Sequence, residues 1–128
     1  MQTELANTIN DENIEILVRT FYPMVLDDAL VGPFFIEKLG DDIHSEAWEE
    51  HLVLLSQFWA FVALGDDRYT GHPMAPHFEI AGISRKAFEQ WLKLFHEAVD
   101  KVYVPRSGAF FKEKSTDIAS NFMRNLSL

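Results

Sequence analysis

Apolar residues recur at intervals of three and four over residues 45–63, and this pattern predicts an amphipathic helix. One titratable side chain, that of His51, lies within the apolar stripe. A buried imidazole needs a hydrogen-bond partner or a ligand, because leaving a polar group unpaired in an apolar interior costs about 1–3 kcal/mol. His51 is therefore either a core residue that is satisfied by a carbonyl group or a residue that faces a ligand. The other members of the stripe are Trp48, Leu52, Leu55, Phe58, Trp59 and Val62.

Asn10, followed by two acidic residues, predicts the start of an earlier helix. Apolar residues at helical spacing continue from there through Tyr22. Pro23 lacks a backbone N–H and disfavours helical geometry at the residue before it, so we expect a kink or a split near this point. Residues 1–9 are expected to form a loose or weakly helical leader.

Turn-forming residues divide the rest of the chain into three more helices. A short helix is predicted over residues 34–39, a long one over residues 85–104, and a last one from about residue 107 to residue 126. Pro105 and Gly108 are expected to break the pattern between the last two. No segment alternates apolar and polar positions as a half-buried strand does. The predicted fold class is therefore all-α, with the helices packed on one another.

Length and composition narrow the class of protein. At 128 residues the chain is expected to form a single domain over residues 1–128. It contains no cysteine, which excludes disulfide bonds, thiolate metal sites and covalent attachment of a cofactor through Cys-x-x-Cys-His. The net charge of −9 argues against a nucleic-acid or anionic-membrane partner. Without a signal-like start or a membrane-spanning apolar run, we expect a cytoplasmic protein.

Four side chains are the candidates for chemistry, because they lie on or beside inward stripes and can donate a hydrogen bond or ligate a metal. They are Tyr22, His51, His77 and Trp91. Taken singly, a tyrosine or tryptophan on an inward face is usually a core residue whose polar tip has found a partner. No glycine-rich phosphate loop, His-Glu-x-x-His helix or nucleophile elbow is present. The residues alone predict a small helical domain with several inward donors, and they do not identify a cofactor.

At and around these four residues, the sequence resembles the truncated haemoglobins, most closely their third group. The likeness covers nearly the whole chain and rests on three stretches: FYPMVLDDALVGPFF, EAWEEHLVLLSQFWAFVALGDDRYTGHPMAPHFEI and AFEQWLKLFHEAVDKVY. It implies a two-over-two sandwich of helices around a non-covalent haem b. His77 would then be the proximal iron ligand, and the sixth coordination position would face Tyr22, His51 and Trp91.

The resemblance also implies contacts for the rest of the haem. Phe35 corresponds to an aromatic residue that packs on the haem in this family. The loop residues Tyr69 and His72, together with Arg68, are candidates for propionate contacts, although a solvent-facing role is equally compatible with their sequence context. The side chains implied to line the pocket are those of Leu55, Phe58, Trp59 and Met74.

A single protein ligand would leave a five-coordinate ferrous iron open to dioxygen, nitric oxide or carbon monoxide. Hydrogen bonds to a charged ligand in a dry pocket are worth about 1.5–3 kcal/mol each. The resemblance therefore predicts tight, slowly released oxygen, with Tyr22 and Trp91 as principal donors and His51 as a gate or secondary donor. One alternative is an enzyme, a nitric-oxide dioxygenase or a peroxidase-like protein that depends on an external reductase. Another is a haem-free helical interaction module.

Overall fold

A computed structural model describes residues 4–65 and 84–128 of the chain. Within these ranges the regular structure is helical, which confirms the predicted all-α class. None of the helices in the described part is long and apolar enough to cross a membrane. The helices are α1 (Asp11–Asp27), α2 (Gly32–Leu39), α3 (Glu46–Leu64), α4 (Arg85–Val102) and α5 (Pro105–Asn125).

Helix α1 lies at the centre of the packing. It contacts α2, α3 and α4, and α4 in turn contacts α5. Full burial of a side chain such as Phe21 or Phe95 contributes about 1.5–3 kcal/mol. The largest fully buried aromatic side chains are those of Trp48, Tyr103, Phe21, Phe95 and Phe111.

Helix α1 is one helix with Pro23 inside it, so of the two expected alternatives near residues 19–23, a kink or a split, the split is wrong. Its start is as predicted: the Asn10 side chain accepts a hydrogen bond from the backbone N–H of Asn13, and Asn13 returns the bond to the Asn10 backbone. Pro23 removes one backbone donor, but residues on both sides of it are buried. Tyr22 is 3% exposed and Val25 is fully buried. Packing stabilises most protein helices, and here it outweighs the missing hydrogen bond.

Helix α3 has the ends that the sequence predicts. The Ser45 hydroxyl accepts a hydrogen bond from the backbone N–H of Trp48, and Gly65 ends the helix in the left-handed conformation with φ 71°. The Trp48 indole N–H donates to the carbonyl oxygen of Gly40 at 2.8 Å. This bond ties the first turn of α3 to the residue that ends α2. The position of His51, one turn further along α3, is set by that attachment.

Helix α5 starts at Pro105 rather than near residue 107, and Gly108 lies within it. Proline suits the first helical position because the N–H that it lacks would have no partner there. A Cβ atom on Gly108 would lie 2.8 Å from Cγ1 of Val99, so glycine allows α4 and α5 to approach closely. The expectation that Gly108 breaks the helix is wrong for this reason. Helix α4 ends at Val102, two residues before the predicted end.

The segment that precedes α1 is held against the junction of α4 and α5. The N–H of Ala6 donates to the carbonyl of Val102 at 2.8 Å, and the N–H of Val104 donates to the carbonyl of Ala6 at 2.9 Å. Nearby, the buried hydroxyl of Tyr103 donates to Oδ1 of Asn13 at 2.6 Å. The leader expected to be loose is thus attached at Ala6. Backbone hydrogen bonds of this kind leave no pattern in the side-chain sequence.

Candidate functional site

Helices α1, α2 and α3 bring four rings together, and we refer to Tyr22, Phe35, Trp48 and His51 as the four-ring cluster. The Tyr22 ring centroid lies 5.2 Å from that of His51 and 5.7 Å from those of Phe35 and Trp48. The Trp48 and His51 rings are 5.5 Å apart and nearly perpendicular. Aromatic pairs in such geometries add about 0.5–1.5 kcal/mol each to the burial of their area. The cluster is therefore a rigid wall that carries a phenol and an imidazole.

Tyr22 is the most enclosed polar residue of the cluster. Burial raises the pKa of its phenol, while a hydrogen bond from the Trp91 side chain acts in the opposite direction, with burial the larger effect. An indole N–H can only donate, so Trp91 donates to the phenol oxygen. The phenol stays protonated at neutral pH and keeps its own hydrogen for donation to another acceptor.

His51 contributes an enclosed nitrogen to the same wall. Its ring is half-buried, but Nε2 has less than 1 Å² of accessible surface. Leu55, Phe58 and Val62 follow it on one flank of α3, and each is only partly buried against the core. This flank presents an imidazole followed by a strip of apolar side chains.

The two tryptophans that the sequence brings into the site have different surroundings. Trp91 stacks on Phe95 with parallel rings 5.5 Å apart. It also lies edge-on to Phe21 at 5.5 Å, and Phe21 in turn lies 4.7 Å from Tyr22. Trp59 also stacks on Phe95, at 5.0 Å, and within residues 4–65 and 84–128 its rings also contact those of Phe58 and Phe111. The two tryptophans thus share Phe95 as a stacking partner.

The proximal side of the implied haem site lies outside the described residues. His77 falls there, together with the loop residues Arg68, Tyr69, His72 and Met74. Within residues 4–65 and 84–128, no three histidine, cysteine or acidic side chains are grouped so that they could hold a metal ion.

Trp48 is a member of the site that the sequence reasoning placed only in the core stripe. It is fully buried and contacts three other aromatic rings of the cluster. The sequence did contain one indication of this role: Trp48 lies three residues before His51, a spacing that places the two side chains on one face of α3. Because its N–H is used by Gly40, Trp48 supplies packing to the site rather than a donor.

Comparison with known proteins decides the family. Residues 8–125 match the bacterial-like globin family. The group 3 truncated hemoglobin ctb of Campylobacter jejuni is 35% identical over 119 residues, which make up 93% of this chain and 92% of that protein. The chain belongs to the group III truncated haemoglobins. The crystal structure of group III truncated hemoglobin from Campylobacter jejuni agrees with a TM-score of 0.88 at 35% identity, covering 98% of this chain and 95% of that one.

Membership in the truncated haemoglobins confirms the two-over-two fold and implies haem-based binding of small diatomic gases. The described residues fit one face of a haem. The four-ring cluster and Trp91 place phenol, imidazole and indole groups together, and the half-buried flank of α3 offers apolar side chains to a porphyrin. A haem-free interaction module does not fit a truncated haemoglobin.

Proposed function

We propose that this truncated haemoglobin binds dioxygen reversibly at a non-covalent haem b and releases it slowly. Tyr22 is the principal donor in this proposal, with Trp91 as its partner donor. The observation that supports it most directly is the buried phenol, whose oxygen accepts a bond from Trp91 and whose hydrogen is left for another acceptor. A non-covalent haem agrees with a chain that contains no cysteine.

In this proposal His77 would be the residue that ligates the iron. When bound, the haem supplies an iron atom that takes up a diatomic gas reversibly and places negative charge on the outer atom of the gas. Phe35, Leu55 and Phe58 would pack against the porphyrin, since they lie half-buried beside the cluster. Further candidates from the sequence are Met74 and Trp59 for the pocket wall, and Arg68, Tyr69 and His72 for the propionates.

The donors of this chain are sufficient to make release slow. A phenol that donates to a charged acceptor in an enclosed pocket contributes about 1.5–3 kcal/mol. Since about 1.4 kcal/mol is a factor of ten, this corresponds to about 10- to 150-fold in the release rate. Carbon monoxide and nitric oxide would also enter the pocket, but these donors favour the more charged ligand, dioxygen.

His51 is proposed as a gate or secondary donor. Its ring stands edge-on to Tyr22 at 5.2 Å, so the imidazole lies beside the phenol. Rotation of one side chain on the flank of α3 would change both the access to the pocket and the number of donors in it.

The test is the rate of oxygen release from the ferrous protein, measured by stopped-flow mixing with excess carbon monoxide. Tyr22→Phe is expected to release oxygen at least about tenfold faster, because it loses one charge-assisted bond. The matched control is Tyr103→Phe, which removes a buried hydroxyl that donates to Asn13 and is expected to leave the rate unchanged. Equal rates for Tyr22→Phe and the unsubstituted protein would contradict the proposal.

Catalysis with nitric oxide or peroxide is the alternative, and it requires an external reductase. The same preparations, supplied with a chemical reductant and either substrate, show whether turnover accompanies binding. Rapid turnover that depends on Tyr22 would favour the catalytic alternative over oxygen storage or sensing.

A further inference from the structure

One carboxylate ties together three of the helices that carry residues of the site. Asp28 follows the last residue of α1. Its Oδ2 accepts bonds from the backbone N–H of Leu30 at 3.0 Å and of Val31 at 2.8 Å, where α2 begins. Its Oδ1 accepts a bond from the side-chain amide of Gln90 on α4 at 2.7 Å. The carboxylate thus joins the end of α1, the start of α2 and the middle of α4.

Each of these helices carries a residue of the site. Tyr22 lies on α1, Phe35 lies on α2, and Trp91 is the residue directly after Gln90 on α4. The corner itself is tight, because a Cβ atom on Gly32 would lie 2.9 Å from two carbonyl oxygens at the end of α1. A shift of α4 relative to this corner would therefore change the distance between the Trp91 indole and the Tyr22 phenol.

We infer that Asp28 and Gln90 are positioning residues, which hold the Trp91 indole against the Tyr22 phenol and thereby keep oxygen release slow. This inference rests on the proposed function. Neither residue touches the ligand in it, and both act through the placement of α4 on α1.

The charge of Asp28 favours this role. Partial burial raises the pKa of its carboxyl group, but the hydrogen bonds from the start of α2 and from Gln90, with the positive charge of Lys93, lower it by more. The group is therefore ionised at neutral pH, and hydrogen bonds to an ionised acceptor are about twice as strong as those between neutral groups.

The donor and the acceptor of the hydrogen bond between Gln90 and Asp28 can be exchanged by substitutions that keep the size of both side chains. Gln90→Glu places a second carboxylate against Asp28 and breaks the bond, because like charges at this distance repel. Asp28→Asn keeps it: the asparagine oxygen accepts from the start of α2, and its amide donates to the oxygen of Gln90. Asp28→Asn combined with Gln90→Glu also forms a bond, from the asparagine amide to the new carboxylate. The double variant should therefore rescue the single one.

The experiment measures oxygen release from the haem-loaded variants at pH 8. Gln90→Glu is expected to release oxygen about fivefold faster, which corresponds to about 1 kcal/mol. The double variant again has a bond to a carboxylate and is expected to release oxygen at about the unsubstituted rate. Asp28→Asn keeps a weaker, neutral bond and is expected to fall between that rate and the rate of Gln90→Glu. Lys112→Met is the control, because it breaks a 2.7 Å bond between α4 and α5 that lies away from the site.

A second readout separates positioning from stability. In the carbon-monoxide-bound protein, the indole N–H resonance of Trp91 is assigned by its loss in Trp91→Phe and then compared among the variants by NMR. We expect it to move in Gln90→Glu and to return in the double variant, while the indole resonances of Trp48 and Trp59 stay in place. If Gln90→Glu does not fold, Gln90→Met removes the donor without adding charge and is measured instead.

The outcomes are distinct. A lowered melting temperature with an unchanged release rate and an unchanged Trp91 resonance would make the bond merely structural and overturn the inference. The inference would also be overturned if Asp28→Asn combined with Gln90→Glu released oxygen as fast as Gln90→Glu alone. If Tyr22→Phe leaves oxygen release unchanged, the proposed function fails instead, whatever the Trp91 resonance does.

Discussion

The Trp91 indole and the Tyr22 phenol pack against the same ring, that of Phe21, with centroids 5.5 Å and 4.7 Å from it. Burial raises the pKa of Tyr22, and a hydrogen bond from the Trp91 side chain lowers it by less. Hydrogen bonds in series polarise one another, so an indole that donates to a phenol makes the phenol a stronger donor. Trp91 can therefore slow oxygen release in two ways, by contacting the ligand itself or by acting through Tyr22.

A double-mutant cycle separates these two ways. We expect Trp91→Phe to accelerate oxygen release in the unsubstituted protein but to have little further effect in the Tyr22→Phe background, because its bond partner is gone there. Contacting residues in one network typically show interaction energies of about 0.5–3 kcal/mol. The measurement is the oxygen release rate of the four proteins. Fully additive effects would show that Trp91 holds the ligand independently of Tyr22.

The proposed iron ligand is tested by its removal. His77→Ala is expected to lose the Soret band or to lose haem readily to an acceptor protein, because it removes the imidazole that would ligate the iron. His96→Ala is the matched control, since the ring of His96 contacts Thr116 between α4 and α5 and plays no part in the site. Absorbance spectra of the purified variants check the prediction. Full haem retention by His77→Ala would require a different ligand.

The buried phenols of Tyr22 and Tyr103 are expected to make the free energy of unfolding fall at alkaline pH. Burial raises the pKa of Tyr22 and of Tyr103, so the folded state favours the protonated form. Their contribution is fully present below the ordinary tyrosine pKa of about 10 and is lost as the pH rises through the raised values. Each phenol should then lower the free energy of unfolding by about 1.4 kcal/mol per pH unit in this range.

The measurement is thermal unfolding of the carbon-monoxide-bound protein between pH 8 and pH 11. Tyr22→Phe with Tyr103→Phe should have a flatter profile above about pH 10 than the unsubstituted chain, although both still contain titrating lysines. Identical profiles would show that neither phenol retains its proton in the folded state.

Gly108 is expected to be intolerant of substitution. In Gly108→Ala the new Cβ would lie 2.8 Å from Val99, a fully buried and stiff β-branched side chain. Overpacking of a core costs about 1–3 kcal/mol, which outweighs the gain of about 1 kcal/mol in helix propensity or nearly cancels it. Val99→Ala should partly relieve the crowding, so unfolding of the double variant checks the cause. A clear increase in stability for Gly108→Ala alone would contradict this explanation.

The sequence by itself determined several helix boundaries, namely the starts of α1, α3 and α4 and the end of α3. Caps such as Asn10, Ser45, Ser84 and Gly65 act within a few residues of their own position, and the apolar period shows which face turns inward. These are local properties, and a single chain read in order contains them. The inward positions of Tyr22 and His51 followed from the same period.

Only the tertiary structure decided which distant residues meet. Helix α1 continues past Pro23 because packing on both sides stabilises it, and Gly108 lies inside α5 because α4 approaches there. The bonds from Trp91 to Tyr22 and from Gln90 to Asp28 join helices that are more than sixty residues apart in sequence. Such contacts depend on how the helices are placed on one another, and no local spacing of residue types specifies that placement.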